Sequence, residues 1–175
     1  MKEVLTSVNK EHLDNILDRI KTVEWRKKPL PLGKHYGYET KNKGGCGKVT
    51  GEFEVVENIK VDLFEIIAND DPKELIKKGC VDWGFLNKYE GLERSYLYAN
   101  IIENAKRYDK PKELSEFKAW RDCETPHKEF MNCKFTYRHP SHCECCQWIK
   151  RPPQSYMFSA FCFKKEYANE FSFFV

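Results

Sequence analysis

Three side chains within six residues, Lys21, Glu24 and Arg26, offer the most readable chemistry in this chain. An arginine fork grips a phosphate through paired N–H groups, and a lysine adds a point charge beside it. A carboxylate between the two cations can hold both in place or accept a base N–H. The plainer reading is a surface ion-pair cluster, which contributes little stability. The surrounding charge suits an anionic partner. Residues 19–48 carry nine basic side chains against two acidic ones, although the whole chain is only +3. A basic patch on a nearly neutral protein is the footprint of a phosphate-bearing ligand. A solvated lysine-rich face would look the same by charge alone.

A second constellation lies near the C-terminus. Residues 120–150 hold five of the eight cysteines and three of the five histidines, with few aliphatic residues. Cys143 and Cys146 have the C-x-x-C spacing that lets two thiolates reach one tetrahedral ion, and Cys123 and Cys133 complete four ligands. His127, His139, His142 and Cys145 stand in the same stretch; His139 or His142 could replace one of the four, and Cys145 could replace Cys143 or Cys146. Thirty mostly polar residues cannot build a core, so a structural zinc ion would supply the missing order. A loop with free thiols is the alternative.

These groups need a scaffold. Residues 3–8 read as a strand. Asn9 then stands where it can cap a helix whose apolar face is Leu13, Ile16, Leu17 and Ile20. Residues 22–26 alternate as a strand, which points Val23 and Trp25 to the core and Thr22, Glu24 and Arg26 away from it. Pro29, Pro31 and Gly33 mark a loop. Strands are expected at 35–39 and 49–56, separated by the glycine-rich turn 41–47. Asp71 and Pro72 open a helix to residue 78, and a second covers 83–89. Residues 96–105 fit either a helix or a strand. A short helical turn at 114–117 and a closing strand at 155–163 complete the pattern. Short strands with a few helices between them indicate an α+β fold around a small barrel or curled sheet.

With 175 residues the chain can form one sizeable core. We therefore read 1–175 as a single domain with 120–150 as a Cys/His-rich insert. No apolar run approaches the ~20 residues of a membrane-spanning helix, so no membrane role is expected. The first ten residues lack the basic and apolar regions of a secretory leader. A cytoplasmic location is the default expectation, and it favours metal or buried thiols over disulfides.

Residues 16–26, containing Arg19, Lys21, Glu24 and Arg26, resemble the G-x-K-x-x-E-x-R signature of the ASCH family. The stretch 32–40 is similar to that family's G-D-x-I-Y-I-Y-E-T block, and 49–55 is similar to its V-x-G-E-F-E-V strand. Residues 108–117 and 151–156 resemble the closing portion. The likeness covers about residues 2–118 and 150–163, with two departures: Arg19 replaces the signature glycine, and Lys34 replaces an aspartate. Both make the region more basic.

The resemblance implies a PUA-like small β-barrel with flanking helices, of the kind found in small bacterial or phage-type members, here with a Cys-rich insert. It implies a cleft around Lys21, Glu24 and Arg26 that binds RNA or a modified nucleotide. Lys28 and Lys34 would add charge. Tyr36 and Tyr38 are candidate stacking platforms, or core residues, and Gln154 and Ser155 could read a base edge or cap a loop. Two other readings remain. Some small ASCH proteins are amidohydrolases of N4-acetylcytidine, and in these a threonine stands at the position of Glu24. This chain would need Lys21 with Glu54 or Glu103 to activate water, since Thr22 lies on the other strand face. Alternatively, this is a phage or mobile-element protein that binds a host protein through its insert.

Overall fold

The computed structural model describes residues 3–62, 71–90, 96–119 and 149–161. In chain order these form β1 (Glu3–Val8), α1 (Lys10–Leu17), β2 (Val23–Arg26), β3 (Gly33–Glu39), β4 (Val49–Asp62), α2 (Asp71–Lys78), α3 (Trp83–Glu90), β5 (Tyr96–Lys112), β6 (Phe117–Ala119) and β7 (Tyr156–Phe161). Residues 96–105, which allowed two readings, are the first part of the long strand β5. Short 3-10 turns lie at Asn42–Gly44 and Leu114–Glu116.

The seven strands make one sheet in the order β2-β5-β4-β3-β1-β7-β6. β1 runs parallel to β3 and antiparallel to β7, and the other pairs are antiparallel. The long β4–β5 ribbon shifts register at three places, and Asn104 there has a left-handed φ of 51°. Such bulges bend a ribbon. The bending shows in one contact: Arg26 on β2, at the end of the sheet, donates from Nη2 to the Ser7 carbonyl on β1 at 2.9 Å. Three strands separate β2 from β1 in the sheet order. The sheet must therefore curl back on itself, giving the expected small barrel with flanking helices.

α1 fills the curl. Leu13, Ile16 and Leu17 are buried with Phe53, Val55, Ile102 and Ala105. The approach is so close that a Cβ on Gly51 would stand 2.5 Å from Leu17 and from the Lys106 carbonyl. Asn9 occupies the cap position, but its side chain makes no cap bond; its Oδ1 accepts instead from Thr40 Oγ1 at 3.0 Å. The C-terminus of α1 closes with Arg19 N–H on the Ile16 carbonyl and Ile20 N–H on the Asn15 carbonyl. That paired closure puts the residue after the cap in the left-handed region, and Arg19 has φ 61°. The glycine of the ASCH signature therefore falls at the position whose backbone favours glycine.

A second cluster joins Val23, Trp25, Leu86, Leu97 and Ala99 beneath α2 and α3. A third gathers Leu5, Tyr36, Tyr38, Val49, Phe117 and Ile149. No helix among the described residues is long and apolar enough to cross a membrane.

Candidate functional site

β2 carries the signature, and its two faces are both covered. Val23 and Trp25 pack beneath α2 and α3 as the alternation predicts. Glu24, expected to face away from the core, is only 5% exposed, and Lys21 only 2%. Lys21 Nζ lies 3.2 Å from Glu24 Oε2, and Arg26 Nε donates to Glu24 Oε1 at 2.9 Å. The surface ion-pair reading is thus replaced by a buried triad. Burial alone would push the Glu24 carboxyl up; the cations Arg26 and Lys21 outweigh it and hold the group below the usual carboxylate range.

α2 completes the first coordination of Lys21. Its Nζ donates to the Gly79 carbonyl at 2.6 Å, and Thr22 N–H bonds the Lys78 carbonyl at 3.0 Å. Both acceptors lie at the helix C-terminus, where the helix dipole favours a cation. Position 79 needs glycine, because a Cβ there would come within 2.4 Å of Trp25 Nε1.

Above the triad opens a cleft of about 280 Å³. Its charged lining is Lys21, Glu24 and Arg26, with His12, Asn9, Asn42 and Gln154 around them and Phe85 and Tyr89 as an aromatic wall. Phe85 is 42% exposed and stacks on Tyr89 with the rings 7° from parallel and 5.8 Å apart. Lys27 Nζ sits 5.4 Å over the Tyr89 ring. Burial, and then Lys21, lower the His12 pKa from its ordinary 6.5, so the ring is neutral at pH 7. His12 Nδ1 and Trp25 Nε1 are buried with no hydrogen-bond partner among the described residues, and both residues line the cleft.

The cleft thus holds Lys21, Glu24, Arg26 and Gln154 of the residues expected from the sequence. The others stand elsewhere. Lys34 pairs with Glu52 at 3.0 Å and lies 4.9 Å over the Tyr36 ring, so it adds no free charge to the cleft. Tyr36 and Tyr38 are each 4% exposed, and Tyr36 packs edge-on against Phe117. They are core residues, not stacking platforms, because the Leu5–Phe117 cluster covers their faces. Lys28 is exposed and does not line the cleft. Ser155 contributes its carbonyl to Ser7 N–H at 2.8 Å. Cys123, Cys133, Cys143 and Cys146 lie outside the described residues. Among the described residues no group of three His, Cys, Asp or Glu side chains could hold a metal ion.

The hydrolytic set is divided. Thr22 and Glu103 line a separate hollow of about 350 Å³ with Arg19 and the Lys21 chain. Lys21 Nζ itself is engaged by Glu24 and Gly79, and Glu54 accepts from Asn104 at 2.7 Å.

Sequence reasoning missed His12, Phe85 and Tyr89. His12 had a signal, as the lone polar ring one residue from the apolar stripe of α1. The α3 aromatics had none, because only the curl of the sheet brings that helix over β2.

No family model matches the sequence, and no curated protein matches it. Solved structures do match by fold. A crystal structure of ASCH from Zymomonas mobilis aligns with TM-score 0.56 and 17% identity over 93% of this chain and 89% of the other. A tyrosine-to-phenylalanine variant of that protein aligns at 0.56 and 16% identity over 94% and 92%. A serine-to-alanine variant aligns at 0.57 and 16% over 93% and 89%. The chain has the fold of an ASCH domain.

Proposed function

We propose that this ASCH-fold chain binds a nucleotide unit, free or within RNA, in the cleft above Lys21, Glu24 and Arg26. The observation that carries the reading is the charge balance of the triad beside an open aromatic face. Two cations surround one carboxylate, which leaves one positive charge at the floor. Both Glu24 oxygens are taken, so the carboxylate is a positioning group for the cations. Arg26 uses Nε and Nη2 on protein partners, and its remaining N–H groups are available to an anion. Phe85 offers a ring for stacking, and neutral His12 offers one buried nitrogen for a base edge. A volume of about 280 Å³ lies near the lower end of the ~300–1,000 Å³ typical of small-ligand sites, which suits one planar ligand rather than a duplex.

The test is a binding titration of wild type, Phe85→Ala and Arg26→Gln against single-stranded RNA, single-stranded DNA, duplex DNA and a nucleoside monophosphate. Phe85→Ala should weaken binding about tenfold, since one stacked base contributes ~1–3 kcal/mol. Its melting temperature should stay at the wild-type value, because Phe85 is surface-exposed. Equal affinity for wild type and both variants would place binding elsewhere, and no binding to any probe would remove the reading. The zinc ion expected on Cys123, Cys133, Cys143 and Cys146 is likewise a proposal, which an apo mass under native conditions would refute.

A further inference from the structure

The cleft has a neighbour. A hollow of about 570 Å³ is lined by Tyr38, Lys41, Gly47, Leu114, Lys150 and Pro152, among others. It shares Ser7, Thr40, Asn42 and Gln154 with the cleft, so these four residues form a common ridge. The two spaces are therefore adjacent, with these polar side chains between them.

The charges of the hollow are one-sided. Lys41 and Lys150 are its charged lining residues, and no carboxylate lines it. Neither lysine makes an ion pair among the described residues. Other lysines nearby are engaged: Lys34 by Glu52, Lys48 by Glu113 and Lys10 by Asp14. Lys41 is also held in place along its stem. A Cβ on Gly47 would stand 2.6 Å from Lys41 Cε, so the aliphatic chain lies directly across that glycine. The rest of the lining is apolar or neutral and includes Leu114, Pro152 and Pro153. Among the described residues, cleft and hollow together present three positive charges without a carboxylate partner.

We propose that the ligand is a single-stranded oligonucleotide. One nucleotide unit sits in the cleft, and the strand crosses the Ser7–Thr40–Asn42–Gln154 ridge into the hollow, where Lys41 and Lys150 hold its next phosphates. The extension rests on the cleft reading given above. Positive charge beside apolar surface is the combination that tracks a flexible, stacked backbone. A free mononucleotide would use the cleft and leave the larger hollow without a role.

The test compares uridine monophosphate, a four-unit oligouridylate and its deoxy counterpart on wild type and on the Lys41→Ala/Lys150→Ala chain. The oligomer should bind wild type about tenfold more tightly than the monophosphate. The double variant should lose that gain and keep its monophosphate affinity. Each phosphate contact on a single strand contributes ~0.7 to the slope of log affinity against log salt, so the oligomer slope should become shallower by ~1.4. The ribo and deoxyribo arms identify which sugar the strand carries. Monophosphate binding with no gain from length would overturn the extension and leave the cleft reading standing. So would a double variant that binds the oligomer as tightly as wild type. Failure of every probe to bind would overturn both.

Discussion

Glu24 and Glu52 are built alike on paper: each is a strand glutamate between two hydrogen-bonding partners, one of them a lysine. Glu24 stands between Lys21 and Arg26 with its side chain 7% exposed. Glu52 stands between Lys34 at 3.0 Å and the Tyr108 hydroxyl at 2.6 Å with its side chain 25% exposed. The charges differ. The Glu52 group is neutral overall, since burial and the nearby carboxylates keep the Tyr108 phenol protonated. The Glu24 group keeps one positive charge. The Glu24 group opens onto a cleft. Similar ion-pair chemistry can thus be structural or ligand-directed. Burial and an unbalanced charge separate the two cases.

Removing a lysine from each group should separate them most. Lys21→Ala leaves Glu24 buried with one cation fewer and uncaps the Gly79 carbonyl, which should cost about 3–5 kcal/mol. Lys34→Ala acts on an exposed pair and should cost about 0–1 kcal/mol. Urea unfolding of both variants measures this, and equal losses would erase the distinction.

Acid should sharpen the contrast, provided His35 is first accounted for. His35 is fully buried. Because the Pro31 carbonyl can only accept, His35 Nε2–H donates to it, and Nδ1 accepts from Thr6 Oγ1. Burial lowers its pKa from 6.5 to about 4. The folded state therefore favours the neutral ring, whose stabilisation is complete above pH 6.5 and is lost as pH falls towards 4. The loss should approach about 3 kcal/mol. Unfolding of wild type and His35→Gln across that window checks it, and parallel curves would reject it. The carboxylates act at lower pH. Glu24 and Glu52 both have lowered values, so each stabilises above about 4.5 and loses that contribution on further acidification.

The smallest effect is expected at Arg19, next to the triad but outside its charge balance. Arg19→Gly relieves a left-handed backbone, which costs an ordinary residue about 1–2 kcal/mol. It also loses the Arg19 Nε bond to the Ala105 carbonyl at 3.3 Å. A net gain of up to about 1 kcal/mol, read by thermal unfolding, is expected with no change in ligand affinity. A loss of affinity would bring Arg19 into the site.

The elements were legible because each carries a local pattern. The Leu13–Ile16–Leu17 stripe located α1, and Asp71–Pro72 located the start of α2. The signature placed Lys21, Glu24 and Arg26 together, and Gln154 lines the same cleft. What stayed hidden depends on contacts distant in sequence. Strand alternation put Glu24 on an open face, but the curl of the sheet and the end of α2 close that face. Lys34 and Tyr36 share the parity of a plausible site, yet Glu52 and Phe117 claim them from strands that parity cannot identify. Asn9 has the right residue type for a helix cap, and Thr40, 31 residues away, takes its side chain.

The position of β1 has a consequence for how the chain is made. Of the described strands it is the earliest in chain order, yet it lies inside the sheet between β3 and β7. Its partner β7 begins only at Tyr156. At ~5–20 residues per second, synthesis of the intervening chain takes roughly 7–30 seconds. For that time one edge of β1, with the apolar Val4 and Leu5, has no strand to pair with. The growing chain therefore carries a temporary adhesive edge until β7 is made.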